Sequence, residues 1–116
     1  MKLIIAGGRD FNNYDMLTTA VDNFIERHPD YDIIISGTAR GADELGERYA
    51  KDTNITVERY PAQWDKYGKS AGYRRNEQMA LLADGCICFW NGLSKGTEHM
   101  INLAKKHNLN TIVVRY

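Results

Sequence analysis

Residues 32–50 read DIIISGTARGADELGERYA, and the way this stretch is parsed decides the architecture. It begins as an apolar, β-branched run and passes through SGTARGAD (36–43). It then continues with Ala42, Leu45, Gly46, Tyr49 and Ala50 on one helical stripe. A strand, a glycine-bearing turn and an amphipathic helix in that order make half of a βαβ unit. The turn carries Gly37 and Gly41, a hydroxyl residue, Arg40 and Asp43, but not the lysine of a P-loop. By itself it reads either as a nucleotide-phosphate cradle or as a tight strand-to-helix turn.

The same grammar repeats along the chain. β-rich runs recur as KLIIA (2–6), YDIII (31–35), ITVERY (55–60), GCICFW (85–90) and NTIVVRY (110–116). Between them, Leu17, Ala20, Val21, Phe24 and Ile25 form one helical stripe, with Asn12 or Asn13 as its N-cap. Met79, Leu82 and Ala83 form another, and Met100, Ile101, Leu103 and Ala104 the last. Unbroken apolar strands alternating with amphipathic helices imply a parallel sheet covered on both faces. The expected fold is a Rossmann-like three-layer α/β/α sandwich, one domain over residues 1–116. Its five parallel strands are expected in the order 3-2-1-4-5, with a flavodoxin-like 2-1-3-4-5 as the alternative. One connection, PAQWDKYGKSAG (61–72), is long for a strand–helix loop. Its Trp64, Lys66, Tyr67, Lys69 and Ser70 either serve a function or pack over the sheet edge.

Composition removes several function classes. With 15 basic and 15 acidic side chains, the chain lacks the net basic footprint of a protein that coats duplex DNA or an anionic membrane. No apolar run approaches the roughly 18 residues of a membrane span, and no signal peptide precedes the first strand-like run, so a cytoplasmic protein is expected. Cys86 and Cys88 alternate on one strand face, which suits buried reduced thiols better than a disulfide. His28, His99 and His107 have no ligand spacing to them, and nothing calls for a metal or other cofactor.

In an open parallel sheet, ligands bind beyond the carboxyl ends of the strands where strand order reverses. Three glycine-bearing loops lie at such ends: AGGRDF after the first strand, SGTARGAD after the second and WNGLSKGTE after the fourth. In the 3-2-1-4-5 order those strands are neighbours, so the loops converge, and helix N-termini there would hold an anion. The candidate ligand-binding residues are Gly7, Gly8, Arg9, Asp10, Ser36, Gly37, Thr38, Arg40, Gly41, Asp43, Arg75, Asn91, Gly96, Thr97 and Glu98. Arg75 opens the helix near Gly72 on its sheet-facing stripe, where an unpaired guanidinium is costly. It requires either a carboxylate of this chain or a ligand phosphate. Arg9 could fork onto a phosphate or pair with Asp10 to cap the first helix. Asp43 could face the cleft or serve its own helix dipole, and Thr97 could meet a phosphate or simply cap its helix. Asn76 and Glu77 carry no assignable role.

GGRDF, SGTARGAD, YRRNEQMA and ADG…GTE together resemble the YspA-like branch of the SLOG superfamily over nearly the whole chain. SLOG proteins are Rossmann-like and include the Lonely Guy phosphoribohydrolases and DprA. The resemblance implies a nucleotide or nucleotide-derived ligand, a sensor role in bacteria or phages, and a homo-oligomer, dimer or larger. Lonely Guy enzymes carry R-K-x-x-M on a helix and P-G-G-x-G-T-x-x-E beyond a strand, with the Arg and final Glu implicated in N-glycosidic cleavage. Arg75, Met79, Ala83-Asp84-Gly85 and Gly96-Thr97 match, but Asn76 replaces the Lys, the proline is missing and an apolar residue stands at the final Glu. Only Glu98 offers a carboxylate nearby.

The primary expectation is a binding module. Phosphate would lie on the Gly37–Gly41 and Gly96–Thr97 amides, Arg75 would neutralise it, and Arg9 and Glu98 would reach ribose or base. The alternative is a phosphoribohydrolase-like enzyme, acting on a nucleoside monophosphate or NAD-like compound with Arg75 and Glu98 as its catalytic pair. A third reading, single-stranded nucleic-acid binding through Trp64, Tyr67 and Lys69, is disfavoured by the neutral net charge.

Overall fold

The structure, a computed structural model, describes residues 1–116. Five strands and five helices follow one another, alternating except for the consecutive α3 and α4: β1 (Lys2–Gly7), α1 (Tyr14–Arg27), β2 (Ile33–Ser36), α2 (Ala42–Asp52), β3 (Thr56–Arg59), α3 (Trp64–Tyr67), α4 (Ala71–Leu82), β4 (Gly85–Trp90), α5 (Lys95–Lys106) and β5 (Asn110–Arg115). The strands form one sheet in the order β3-β2-β1-β4-β5, and every pairing is parallel. This is the expected Rossmann-like order; the flavodoxin-like alternative falls away.

Alternation along the strands splits the core into two layers. Leu3, Ile5, Ile34, Ile87 and Phe89 project to one face, under Leu17, Val21 and Phe24 of α1 and Tyr49 of α2. Ile4, Ala6, Ile35, Cys86 and Cys88 project to the other, under Met79 of α4 and Met100 of α5. Each fully buried side chain of this size stabilises the fold by about 1.5–3 kcal/mol, which explains why the central strands tolerate almost no polar residue. Both cysteines are buried and free, with their sulfurs 3.4 Å apart. Asn13 is the N-cap of α1, its side chain accepting the Met16 amide at 3.0 Å.

Two local expectations are corrected. Residues 61–72 are not a long loop: α3 and a 3-10 turn (Gly68–Ser70) lead directly into α4. Elements this short span too few residues to show a periodicity. The buried stripe of α4 is Asn76, Met79 and Ala80, whereas Leu82 is 44% exposed. A rotation of about 60° separates that stripe from the one read through Leu82, the two sharing Met79. It sends Asn76, not a leucine, toward the sheet.

Candidate functional site

β1 lies between β2 and β4, so the crossovers leave it in opposite directions and open a crevice beyond its carboxyl end. A cavity of about 500 Å³ occupies that crevice. The first loop contributes Gly7, Gly8, Arg9 and Asp10, the second Ala39 and Asp43, and the fourth Asn91, Ser94, Gly96 and Thr97. α4 closes the cavity with Gly72, Tyr73, Arg75, Asn76 and Met79, and Trp64 and Lys69 stand at its edge.

Backbone contacts hold the loops together. The Gly8 amide donates to Phe89 O at 3.0 Å, and the Ala42 amide donates to Gly8 O at 3.2 Å. This approach needs Gly41, which has φ +79°; a Cβ there would overlap the Gly8 carbonyl and stand 2.7 Å from the Arg9 backbone. In the fourth loop, Asn91 Oδ1 accepts the Leu93 and Ser94 amides at 2.8 and 2.9 Å. Ser94 is the N-cap of α5, its hydroxyl accepting the Thr97 amide at 3.3 Å, so Thr97 lies one turn inside the helix and not at its cap. The amides of Lys95 and Gly96 belong to the first turn, which an α-helix leaves without internal acceptors.

Arg75 is half-buried at the centre of the site. Its Nη1 donates to Gly37 O, and its Nε donates to Asn76 Oδ1 at 3.1 Å. Asn76, buried, passes the connection onward: its Nδ2 donates to Gly96 O at 3.3 Å and sits 3.3 Å from His99 Nδ1. One asparagine thus ties the guanidinium to the start of α5. Burial pulls Arg75 below the usual arginine value, opposed by the nearby Asp43 charge, and leaves it a cation at neutral pH. Asp43 is 4% exposed. Burial pushes its carboxyl up to about 6, held back by the Ala39 amide, which donates to Oδ2 at 3.2 Å, and by the Arg75 charge. At neutral pH the carboxyl is still mostly ionised, yet it exchanges its proton within the physiological range.

The profile of the YspA, cpYpsA-related SLOG family (YAcAr) matches residues 1–67. "Gene 61 protein" of Mycobacterium phage D29 is 32% identical over 117 residues, covering 96% of this chain and 94% of the phage protein. The chain belongs to the YspA, cpYpsA-related SLOG family. No solved structure matches it.

Within this SLOG domain the expected residues separate into groups. Gly7, Gly8, Arg9, Asp10, Asp43, Arg75, Asn91, Gly96 and Thr97 line the cavity together. Gly37, Thr38 and Arg40 line a neighbouring one instead. Ser36 and Gly41 line neither: Ser36 is buried and donates to Glu47 at 2.6 Å, while Gly41 packs against the first loop. In the expected phosphate cradle of Gly37–Gly41, two of the amides are engaged within the loop itself. The Thr38 amide is taken by Ser36 Oγ at 3.0 Å and the Ala39 amide by Asp43. Glu98 is exposed and lines neither cavity, so the carboxylates at the main cavity are those of Asp10 and Asp43. Asp10 does not cap α1; it accepts the Tyr116 hydroxyl at 2.6 Å, and burial followed by this bond pushes the phenol up to about 12.

Asn76, Tyr73 and Ser94 escaped the sequence reading. The i, i+3, i+4 relation of Asn76 to Met79 and Ala80 was the available signal for the first. Ser94, three residues before Thr97, carried the N-cap signature. Tyr73 stacks edge-on against His99 with ring centroids 4.6 Å apart, a contact between two helices that leaves no local mark in either.

Proposed function

We propose that this SLOG domain binds a nucleotide or nucleotide-derived small molecule in the cavity beyond β1, acting as a sensor or binding module. The observation that carries the reading is the half-buried Arg75. Its guanidinium is held by a carbonyl and an amide oxygen, without a salt bridge, at the wall of a cavity bounded by three loops. A half-buried cation so placed favours an anion, and the first amides of α5 add donors and a favourable dipole on the facing side. The cavity also has the size of a small-molecule site, for which about 300–1,000 Å³ is usual. Phosphate lies between Arg75 and the Lys95 and Gly96 amides in this reading. Arg9 and Asp10 reach ribose, and the exposed ring of Trp64 offers its face to a base.

Titration calorimetry with a panel of nucleoside phosphates tests it. Arg75→Ala is expected to weaken binding by about 30-fold or more, because it removes a charge-assisted contact from a partly dry site. Circular dichroism checks that the variant is folded, and Arg75→Lys should restore only part of the affinity, since an ammonium lacks the planar fork. Unchanged affinity in a folded Arg75→Ala protein would remove Arg75 from the site.

A further inference from the structure

Beside the main cavity lies a second, of about 350 Å³. The two share Arg9, Ala39, Trp64 and Arg75 in their walls, so Arg75 stands at the partition between them. The walls of the second cavity contain three arginines, Arg9, Arg40 and Arg75, and no carboxylate. That imbalance is local, since the whole chain has 15 basic and 15 acidic side chains. The four ion pairs of the molecule use Met1, Lys2, Arg48 and Arg59 as their cations and none of these three arginines. The one acidic group close enough to act on both Arg9 and Arg75 is Asp43, which lines the main cavity. Arg9 also acts on Arg75 as a like charge, in the direction that opposes its protonation.

Three like charges converging on one concavity repel one another, and an anion placed among them relieves that repulsion. Guanidinium groups are suited to this because each can present two parallel donors to phosphate oxygens. Of the remaining walls, Pro61, Ala62 and Ala39 are small or apolar and offer no competing side-chain acceptor, and Thr38 adds a hydroxyl able to donate to a phosphate oxygen.

We infer that the second cavity is a subsite for a second phosphate, so that the ligand is a nucleotide with at least two phosphates, one on each side of Arg75. The inference rests on the proposed nucleotide reading for the occupant of the main cavity, but the subsite chemistry stands on the arginines themselves. A nucleoside diphosphate and a dinucleotide joined through a pyrophosphate both satisfy it. They differ in whether the second phosphate is terminal or bridging.

Calorimetry on the intact chain with AMP, ADP, NAD⁺, inorganic phosphate and inorganic pyrophosphate tests the proposal. Either ADP or NAD⁺ should bind at least about tenfold tighter than AMP, and pyrophosphate should exceed phosphate by a similar factor. Arg40 is exposed and lines only the second cavity, so Arg40→Ala keeps the fold and should bring both ratios down toward one. Preference for ADP identifies a terminal second phosphate, and preference for NAD⁺ a bridging one. Equal affinities for AMP, ADP and NAD⁺, or ratios unmoved by Arg40→Ala, overturn the subsite. Binding of pyrophosphate that depends on Arg40, with no nucleotide bound, upholds the subsite and sinks the nucleotide reading. Binding of none of the five sinks both.

Discussion

The loops after β2 and β4 both carry two glycines and both lead into a helix at the same crevice, yet they work by different physics. In SGTARGAD the Thr38 and Ala39 amides are consumed internally by Ser36 and Asp43, and the Arg40 side chain lines the cavity beside it. Its Gly41 is a structural necessity, because the Ala42 amide must reach Gly8 O. In NGLSKGTE, Asn91 and Ser94 satisfy the loop with their side chains, and the first amides of α5 remain. A Cβ on its Gly96 would meet nothing within 4 Å. The glycine at the helix start is thus required by the fold in one loop and not in the other, where the conformational need falls instead on Gly92 at φ +85°. The contrast warns against reading every glycine-rich turn at a strand end as a backbone cradle for phosphate.

The contrast can be broken most forcefully at Gly41. Gly41→Ala puts a side chain at positive φ and into the backbone of the first loop, and should destabilise the domain by about 3 kcal/mol or more. Urea unfolding measures this, and a loss below about 1 kcal/mol would show that the two loops are not locked as described.

Asp43 gives the next largest effect. Its carboxyl is raised from an ordinary 3.8 to about 6, so the folded protein holds this proton more tightly than the unfolded chain does. Its ionisation therefore opposes folding: stability falls as pH rises from about 4 through 6, by something on the order of 2 kcal/mol, and stays lower above that. Asp43→Asn should abolish this slope in denaturant midpoints measured between pH 4 and 7. A slope that survives the substitution assigns it to another group.

The smallest effect is expected at Gly96. With open space for a methyl group in the first turn of α5, Gly96→Ala should leave stability unchanged or raise it by up to about 1 kcal/mol. Its value lies in pairing stability with ligand affinity. Lost binding at undiminished stability would show that the bare backbone serves the ligand, and unchanged binding would move the phosphate away from these amides.

Strands, helices and their order were legible because burial imposes a period on every chain that forms a parallel sheet, and Leu3, Ile5, Ile34 and Ile87 are apolar for that reason. The convergence of three loops followed from the strand order alone. Arg75 announced itself as a charge in the first turn of a helix at the strand carboxyl ends, although the stripe it was assigned to is rotated in the structure. The role of Asn76 did not, since its partners are Arg75, the Gly96 carbonyl and His99, and two of the three lie on another helix. Glu98 shows the limit of proximity in sequence: it adjoins Thr97, which lines the cavity, yet its own side chain is exposed on another face of α5.

Periodicity and strand-end glycines, both properties of neighbouring residues, determined the fold class and narrowed the sheet to two strand orders, between which the strand pairing decided. Which amides remained free, which arginines lacked a carboxylate, and whether Asp43 held its proton depended on distances between residues far apart in the chain. Hydrogen bonding and desolvation act through space over a few ångströms, so only the packed tertiary structure could decide them.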